Sequence, residues 1–322
     1  MSTLSLSRTG NKRGFRYAAR RLMIAIWRHK LLYLMFIPCI VYYILFCYVP
    51  MSGIVLAFKE FSFRKGIWGS AWNTPLFKYF TSFFSSYDCP RLIRNTLSVG
   101  FLKCIIEFPA PIILALMLNE LRNQRFKKVT QTITYLPYFM SSVIIITMLQ
   151  RILAPDTGML NIIKGLFGGD SSTYYLMDEN YFYPLLFIMD IWKGTGWGSI
   201  LYLAAMGSIN PELYEAANID GCGKLKSMWH ITLPGIRGTI GICFILGIGG
   251  LFSSGFDQIY LLRTPGNMAL ADTLDTYIVT VGLSNGQFGY STAINLCQGL
   301  IGLVLVLATN KVCKKLTDVG IW

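Results

Sequence analysis

The sequence predicts an all-α membrane protein with six transmembrane helices, and three observations carry that prediction. The first is composition. The 322 residues are 53% hydrophobic and only 14% charged, where a soluble domain carries about 25% charged residues. The mean hydropathy is +0.49. The second is distribution: the charges crowd between long apolar runs, as membrane spans require. The third is the placement of lysine and arginine, which alternates from loop to loop.

Six runs are long enough for the ~20 helical residues that cross a hydrocarbon layer. They are expected at about Leu31 to Val49, Asn95 to Asn119, Val129 to Gln150, Tyr183 to Ser208, Gly235 to Phe256 and Ser291 to Asn310. The first apolar run, Leu31 to Phe58, far exceeds the roughly 7–15 apolar residues of a signal peptide, so no cleaved leader is expected. Residues 1–30 form a basic segment with Arg8, Lys12, Arg13, Arg16, Arg20, Arg21, Arg28 and Lys30. Residues 31–310 form the membrane domain, and 311–322 a tail. With the N-terminus inside, eighteen Lys and Arg fall on the inner side and nine on the outer. That bias places both termini in the cytoplasm of a multi-pass inner-membrane protein. It also explains the net charge of +13 by topology and contact with membrane lipid rather than with nucleic acid.

Ionisable residues inside the spans are few. Lys103 and Glu107 are four apart, and Asp190 and Lys193 three apart, so each pair shares a helical face and can neutralise itself locally. The other reading is a polar lining of a translocation path. On that reading Asp190, Trp192, Lys193 and Trp197 of the fourth span, with Gln150 at the end of the third, are the candidate path residues. Pro109, Pro111 and Pro137, with Gly194, Gly196, Gly198, Gly247, Gly249 and Gly250, mark places where helices bend or approach closely. The eight cysteines have no CxxC pairing and there are only two histidines, so neither a disulfide framework nor a metal site is expected.

The most informative stretch joins spans four and five and reads NPELYEAANIDGCGKLKSMWHITLP from Asn210 to Pro234. Asn210 suits an N-cap and Pro211 the first helical position. Leu213, Ala216 and Ala217 make one apolar stripe, and Leu225, Met228 and Trp229 a second. Gly221 and Gly223 permit a tight turn between them. Such a helix-turn-helix fits the groove of a partner protein or lies on the membrane as an amphipathic connector.

Glu215-Ala216-Ala217, Asp220-Gly221 and Ile231-Thr232-Leu233-Pro234 resemble the EAA loop of ABC importer permeases, with Cys222 where that family usually has alanine. The segments Tyr48–Phe61, Phe108–Glu120, Tyr135–Phe139 and Asp190–Ala205 are similar to the permease branch that imports oligosaccharides and polysaccharide fragments. The resemblance spans nearly the whole chain. It implies a type I importer transmembrane domain working by alternating access beside a second homologous permease, two ATPase subunits and an extracytoplasmic solute-binding protein. It implies that Glu215, Ala216, Ala217, Asp220, Gly221, Leu233 and Pro234 couple to an ATPase. ATP and magnesium would sit on the partners, with no cofactor on this chain.

Absences agree with those expectations. Gly221-Cys222-Gly223-Lys224 echoes a phosphate-binding loop, but Leu225 stands where Ser or Thr would hold magnesium. No GxSxG or catalytic triad is found, so the chain is not expected to be an enzyme. The rival readings are an ion-coupled secondary transporter, which would show inverted repeats, and a polytopic membrane enzyme, which would need a cluster of carboxylates or histidines at one face. The segments Lys59–Arg94 and Asp257–Tyr290 are too long for simple turns; they form interfacial helices only or, as the resemblance implies, shape the docking surface for the solute-binding protein.

Overall fold

The computed structural model describes residues 28–250, 255–317 and 320. Arg8 to Arg21 of the basic segment, residues 251–254 of the expected fifth span and most of the tail beyond 317 lie outside the described residues. The chain divides into two compact units, residues 1–55 and 56–322.

The main helices are α1 (Lys30–Phe58), α2 (Cys89–Asn119), α3 (Gln124–Phe139), α4 (Ser142–Ile152), α5 (Phe182–Met206), α6 (Pro211–Ile219), α7 (Lys224–Gly235), α8 (Arg237–Gly249) and α9 (Phe288–Thr317). Among the described residues α1, α2 and α9 are long and apolar enough to cross a membrane, and the bent pairs α3–α4 and α7–α8 raise the number to five. Helix α5 has 25 residues, length enough for a span, but Asp190, Lys193 and its glycines dilute its apolar character. The only strands among the described residues are β1 (Lys59–Glu60) and β2 (Ala71–Trp72), which pair antiparallel.

Prolines shape the helices in a repeated way. Val49, Phe108 and Leu233 each directly precede a proline, and each donates its N–H five residues back, to Ile44, Lys103 and Met228. A proline cannot donate to the carbonyl four residues back, and its ring collides with that carbonyl. The wider π turn relieves both problems and keeps the helix going. Pro109 and Pro111 therefore do not interrupt the second span, which runs unbroken as α2.

The expected third span is not one helix. It bends by 95° between α3 and α4. Pro137 lies in a 3-10 turn, Leu136–Phe139, and Ser141 caps a fresh helix by accepting from the Val143 N–H at 3.3 Å. The expected start of the fifth span also shifts. Pro234 stays inside α7, and the chain turns by 62° into α8.

Three apolar clusters hold the second unit together. One joins Ile112, Ala115 and Leu116 of α2 to Tyr202 and Met206 of α5 and to Ile236. Another packs Val99, Ile145 and Ile146 against Leu186, Met189, Ile259 and Leu262. The third joins Phe83, Leu92, Leu274 and Ile294. Polar ties fix the long connecting segments. Asp272 accepts ion pairs from Arg263 at 2.7 Å and Arg91 at 3.3 Å, and the Thr264 hydroxyl donates to the Leu176 carbonyl at 2.7 Å.

Helix α5 is the hub, and small residues let its neighbours approach. A Cβ on Gly198 would fall 2.9 Å from the Pro111 ring of α2, and one on Gly196 would enter the Thr134 carbonyl of α3. Gly196→Val is therefore expected to cost at least about 1–3 kcal/mol through overpacking. Gly299→Ala, where a Cβ meets nothing within 4 Å, should be neutral or stabilising. Reversible denaturation in mixed micelles reads both; equal effects would contradict the close crossing.

Candidate functional site

Two features stand out from the fold: an exposed helix-turn-helix over 210–234 and a cavity among α2, α5 and α8.

The helix-turn-helix forms as its sequence dictates. The Asn210 side chain accepts from the Glu212 N–H at 3.1 Å, which caps α6. At the other end the Cys222 N–H donates to the Ala217 carbonyl and the Gly221 N–H to the Asn218 carbonyl. These two bonds make a Schellman cap. Gly221 occupies the left-handed region at φ 73°, which disfavours any residue with a Cβ. A hydrogen bond of 3.0 Å between the Tyr214 and Thr232 hydroxyls braces α6 against α7. Lys224 reaches Glu120, at the end of α2, at 3.5 Å.

The seven residues singled out in this loop fall together. Glu215, Ala216, Asp220, Gly221 and Pro234 are exposed, and Ala217 and Leu233 are half-buried. Sequence reasoning did not mark Ile219, which is 87% exposed; Leu225 is 80% and Trp229 70% exposed. Three large apolar side chains are thus left open on one short helix-turn-helix, the kind of exposure that a second surface covers.

The cavity has a volume of about 450 Å³ and is lined by Lys103, Glu107, Phe108, Trp197, Tyr202 and Phe244, among others. The π turn Lys103–Glu107 supplies its charged wall. Lys103 Nζ lies 2.9 Å from Asp190 of α5 and 3.6 Å from Glu107. The side chains are 3% exposed for Asp190, 11% for Lys103 and 36% for Glu107. Gly255, at φ 95°, lies against the ammonium; a Cβ there would fall 2.6 Å from Nζ.

Of the five path candidates only Trp197 lines this cavity. Its indole stacks on Tyr138 at 4.7 Å and meets Phe139 edge-on. Asp190 joins through Lys103. The local pairing of Asp190 with Lys193 is not formed. Lys193 instead donates to the Ser142 hydroxyl at 2.7 Å, at the start of α4. A buried carboxylate needs a cation in contact, and Lys103 fills that place from the facing helix. Trp192 and Gln150 are exposed and lie outside the cavity lining. The four-residue spacing of Lys103 and Glu107 was the visible sign of this wall; the contributions of Phe108, Tyr202 and Phe244 had none, because each reads as an ordinary apolar residue.

The family described as "Binding-protein-dependent transport system inner membrane component" matches residues 108–315. The chain is 43% identical to the polygalacturonan/rhamnogalacturonan transport system permease protein YteP of Bacillus subtilis, over 94% of each chain. It is 42% identical to protein LplB of the same organism, over 93% of each. A solved bacterial alginate ABC transporter, in complex with an alginate pentasaccharide-bound periplasmic protein, has a chain that superposes with a TM-score of 0.84 at 37% identity. That match covers 94% of this chain and 100% of the other.

Lys103→Met should cost about 3–5 kcal/mol by stranding Asp190. Lys103→Met with Asp190→Leu should recover much of that loss. Reversible denaturation measures both, and a single variant as stable as the parent would contradict the pairing.

Proposed function

We propose a carbohydrate cargo and an ATPase-coupling loop for this chain, which belongs to the family of binding-protein-dependent transport system inner membrane components. The cargo is oligosaccharides or polysaccharide fragments. The relatives support this reading, since one is named for polygalacturonan and rhamnogalacturonan and another structure for alginate. The chain is a permease and not an enzyme; partner ATPases bind ATP and magnesium and hydrolyse the nucleotide.

The single observation that carries the coupling role is the exposed apolar helix-turn-helix. Glu215, Ala216, Ala217, Asp220 and Gly221, with Leu233 and Pro234 at its base, enter an ATPase groove, and Ile219, Leu225 and Trp229 are covered there. Small side chains at Ala216 and Ala217 let the partner approach. Glu215 and Asp220 pair with basic groups opposite. Closure of two ATPases then drives the loop, and the hydrogen bond from α6 to α7 and the ion pair to α2 carry the motion to the helices around the cavity. Re-orienting the helices exposes the path to each side in turn.

A second, homologous permease completes the path and an extracytoplasmic solute-binding protein delivers the cargo. In this reading the chain has six spans, with α5 as the fourth and both termini and the 210–234 loop in the cytoplasm, and the segments 59–94 and 257–290 face that protein. Asp190, Trp192, Lys193, Trp197 and Gln150 belong to the path or its frame, Trp197 from inside the cavity.

The test is made in the assembled complex. Trp229→Ala is expected to weaken ATPase association by about 2 kcal/mol or more, as interface anchors do. Ala217→Trp should abolish transport while the protein still reaches the membrane. A surface connector would tolerate both, since exposed changes typically shift stability by no more than about 0.5 kcal/mol. Normal association and transport in both variants would refute the coupling role.

A further inference from the structure

The short helix Met159–Leu166 lies in the connection from α4 to α5 and turns its polar side to the protein. The Asn161 side chain is fully buried and donates to the Ala154 and Thr173 carbonyls at 2.9 and 2.8 Å. Lys164, on the same face, donates to the Thr173 hydroxyl at 2.8 Å and lies over the Tyr175 ring. The opposite side is a stripe of Met159, Ile162, Ile163 and Leu166, continued by Phe167. Its i, i+3, i+4, i+7, i+8 spacing is that of one helical face. All five side chains are exposed, Leu166 at 80% and Phe167 at 86%. In a water-soluble fold an amphipathic helix is mounted the other way round, because apolar surface left in water costs free energy.

Position and chemistry identify what covers the stripe. The Ala154 carbonyl, two residues beyond the end of α4, accepts from both the Asn161 side chain and the Gly158 N–H. A Cβ on Gly158 would enter that same carbonyl. The helix is thus pinned at the end of α4, and with a length of about 12 Å it stays near that level. Tyr174, Tyr175, Tyr181 and Tyr183 follow it, before and at the start of α5. Tyrosine concentrates at the headgroup level of membranes, so these four mark the boundary beside the helix. The stripe itself carries no N–H, O–H or carbonyl in its side chains. A protein interface typically makes about one hydrogen bond per 100–200 Å², whereas acyl chains ask for none.

We propose that Met159–Phe167 is an interfacial anchor, lying in the plane of the membrane with its five apolar side chains among the acyl chains of the outer leaflet. The choice of leaflet rests on the six-span topology proposed above; the insertion does not. Helices of this kind sit roughly 5–10 Å into the boundary between headgroups and acyl chains. The anchor also bears on the outer connections. Thr173 holds the helix, and three residues on the Leu176 carbonyl accepts from the Thr264 hydroxyl and the Asn267 side chain. The start of the segment 257–290 is thereby tied to the level of the anchor.

The experiment uses the full complex of both permeases and both ATPases in nanodiscs of phosphatidylcholine and phosphatidylglycerol. The photoreactive residue p-benzoylphenylalanine replaces Phe167 in one preparation and Leu166 in another. Asp170, exposed beyond the glycines 168 and 169, is the comparison site. After illumination, mass spectrometry identifies what each site has captured. Lipid adducts are expected at least fivefold more often at 166 and 167 than at 170. Equal lipid yields at the three sites would overturn the proposal. So would capture chiefly of the second permease, or of the solute-binding protein when it is added, since either would make the stripe a protein interface. Asp170→Cys tests the leaflet separately. In intact cells a membrane-impermeant maleimide should label it above the signal of the parent's own cysteines. Labelling only in opened cells would overturn the outer leaflet and the topology together, while lipid adducts at 166 and 167 would still establish the insertion.

Discussion

One ammonium group ties the centre of this protein together. Lys103 on α2 meets Asp190 on α5 at 2.9 Å, between helices that cross where only small residues fit. Few other groups would tolerate that place. A carboxylate as buried as Asp190 must have a cation in contact or lose its charge. The pair therefore fixes how α2 turns against α5. That rotation in turn sets where Glu107, Phe108 and Pro111 point, and with them one wall of the cavity. The packing of Gly198 on Pro111 and of Gly196 on Thr134 follows from the same approach of helices.

Backbone bonding explains why Lys103 stands where it does. In a bilayer every backbone N–H and C=O has to be satisfied by the protein. Pro109 removes one donor, and the chain answers with the π turn over residues 103–107. The same device precedes Pro50 and Pro234. At Pro234 it shapes the base of the 210–234 helix-turn-helix. At Pro109 it shapes the charged wall. The helix-turn-helix and the charged wall are thus built on the same local solution, and they are joined through the packing of α2, α5 and Ile236.

Much of this was legible in the sequence, for identifiable reasons. Asn210, Gly221 and the two apolar stripes specified the helix-turn-helix, because capping and turn chemistry are local. The apolar runs specified most of the long helices. The bend in the third run was less visible. Pro137 announced it, but a proline can be absorbed by a π turn, as Pro109 is, and the outcome depends on whether a new cap such as Ser141 follows. The pairing of Asp190 was misjudged because local spacing offered Lys193 at three residues, whereas the facing helix offered Lys103. Spacing along one helix cannot report which residue lies across from it. Phe244 and Tyr202 were hidden for the same reason, since an aromatic that lines a cavity and one that fills a core look alike in sequence.

That this chain is a sugar conduit moved by ATP hydrolysed in other subunits is open to direct test. Reconstitution into proteoliposomes with both permeases, the ATPases and the solute-binding protein tests it most directly. Uptake of labelled oligosaccharide should require ATP and the binding protein, and should persist when proton and sodium gradients are collapsed. Uptake that follows an ion gradient and continues without ATP would contradict the account.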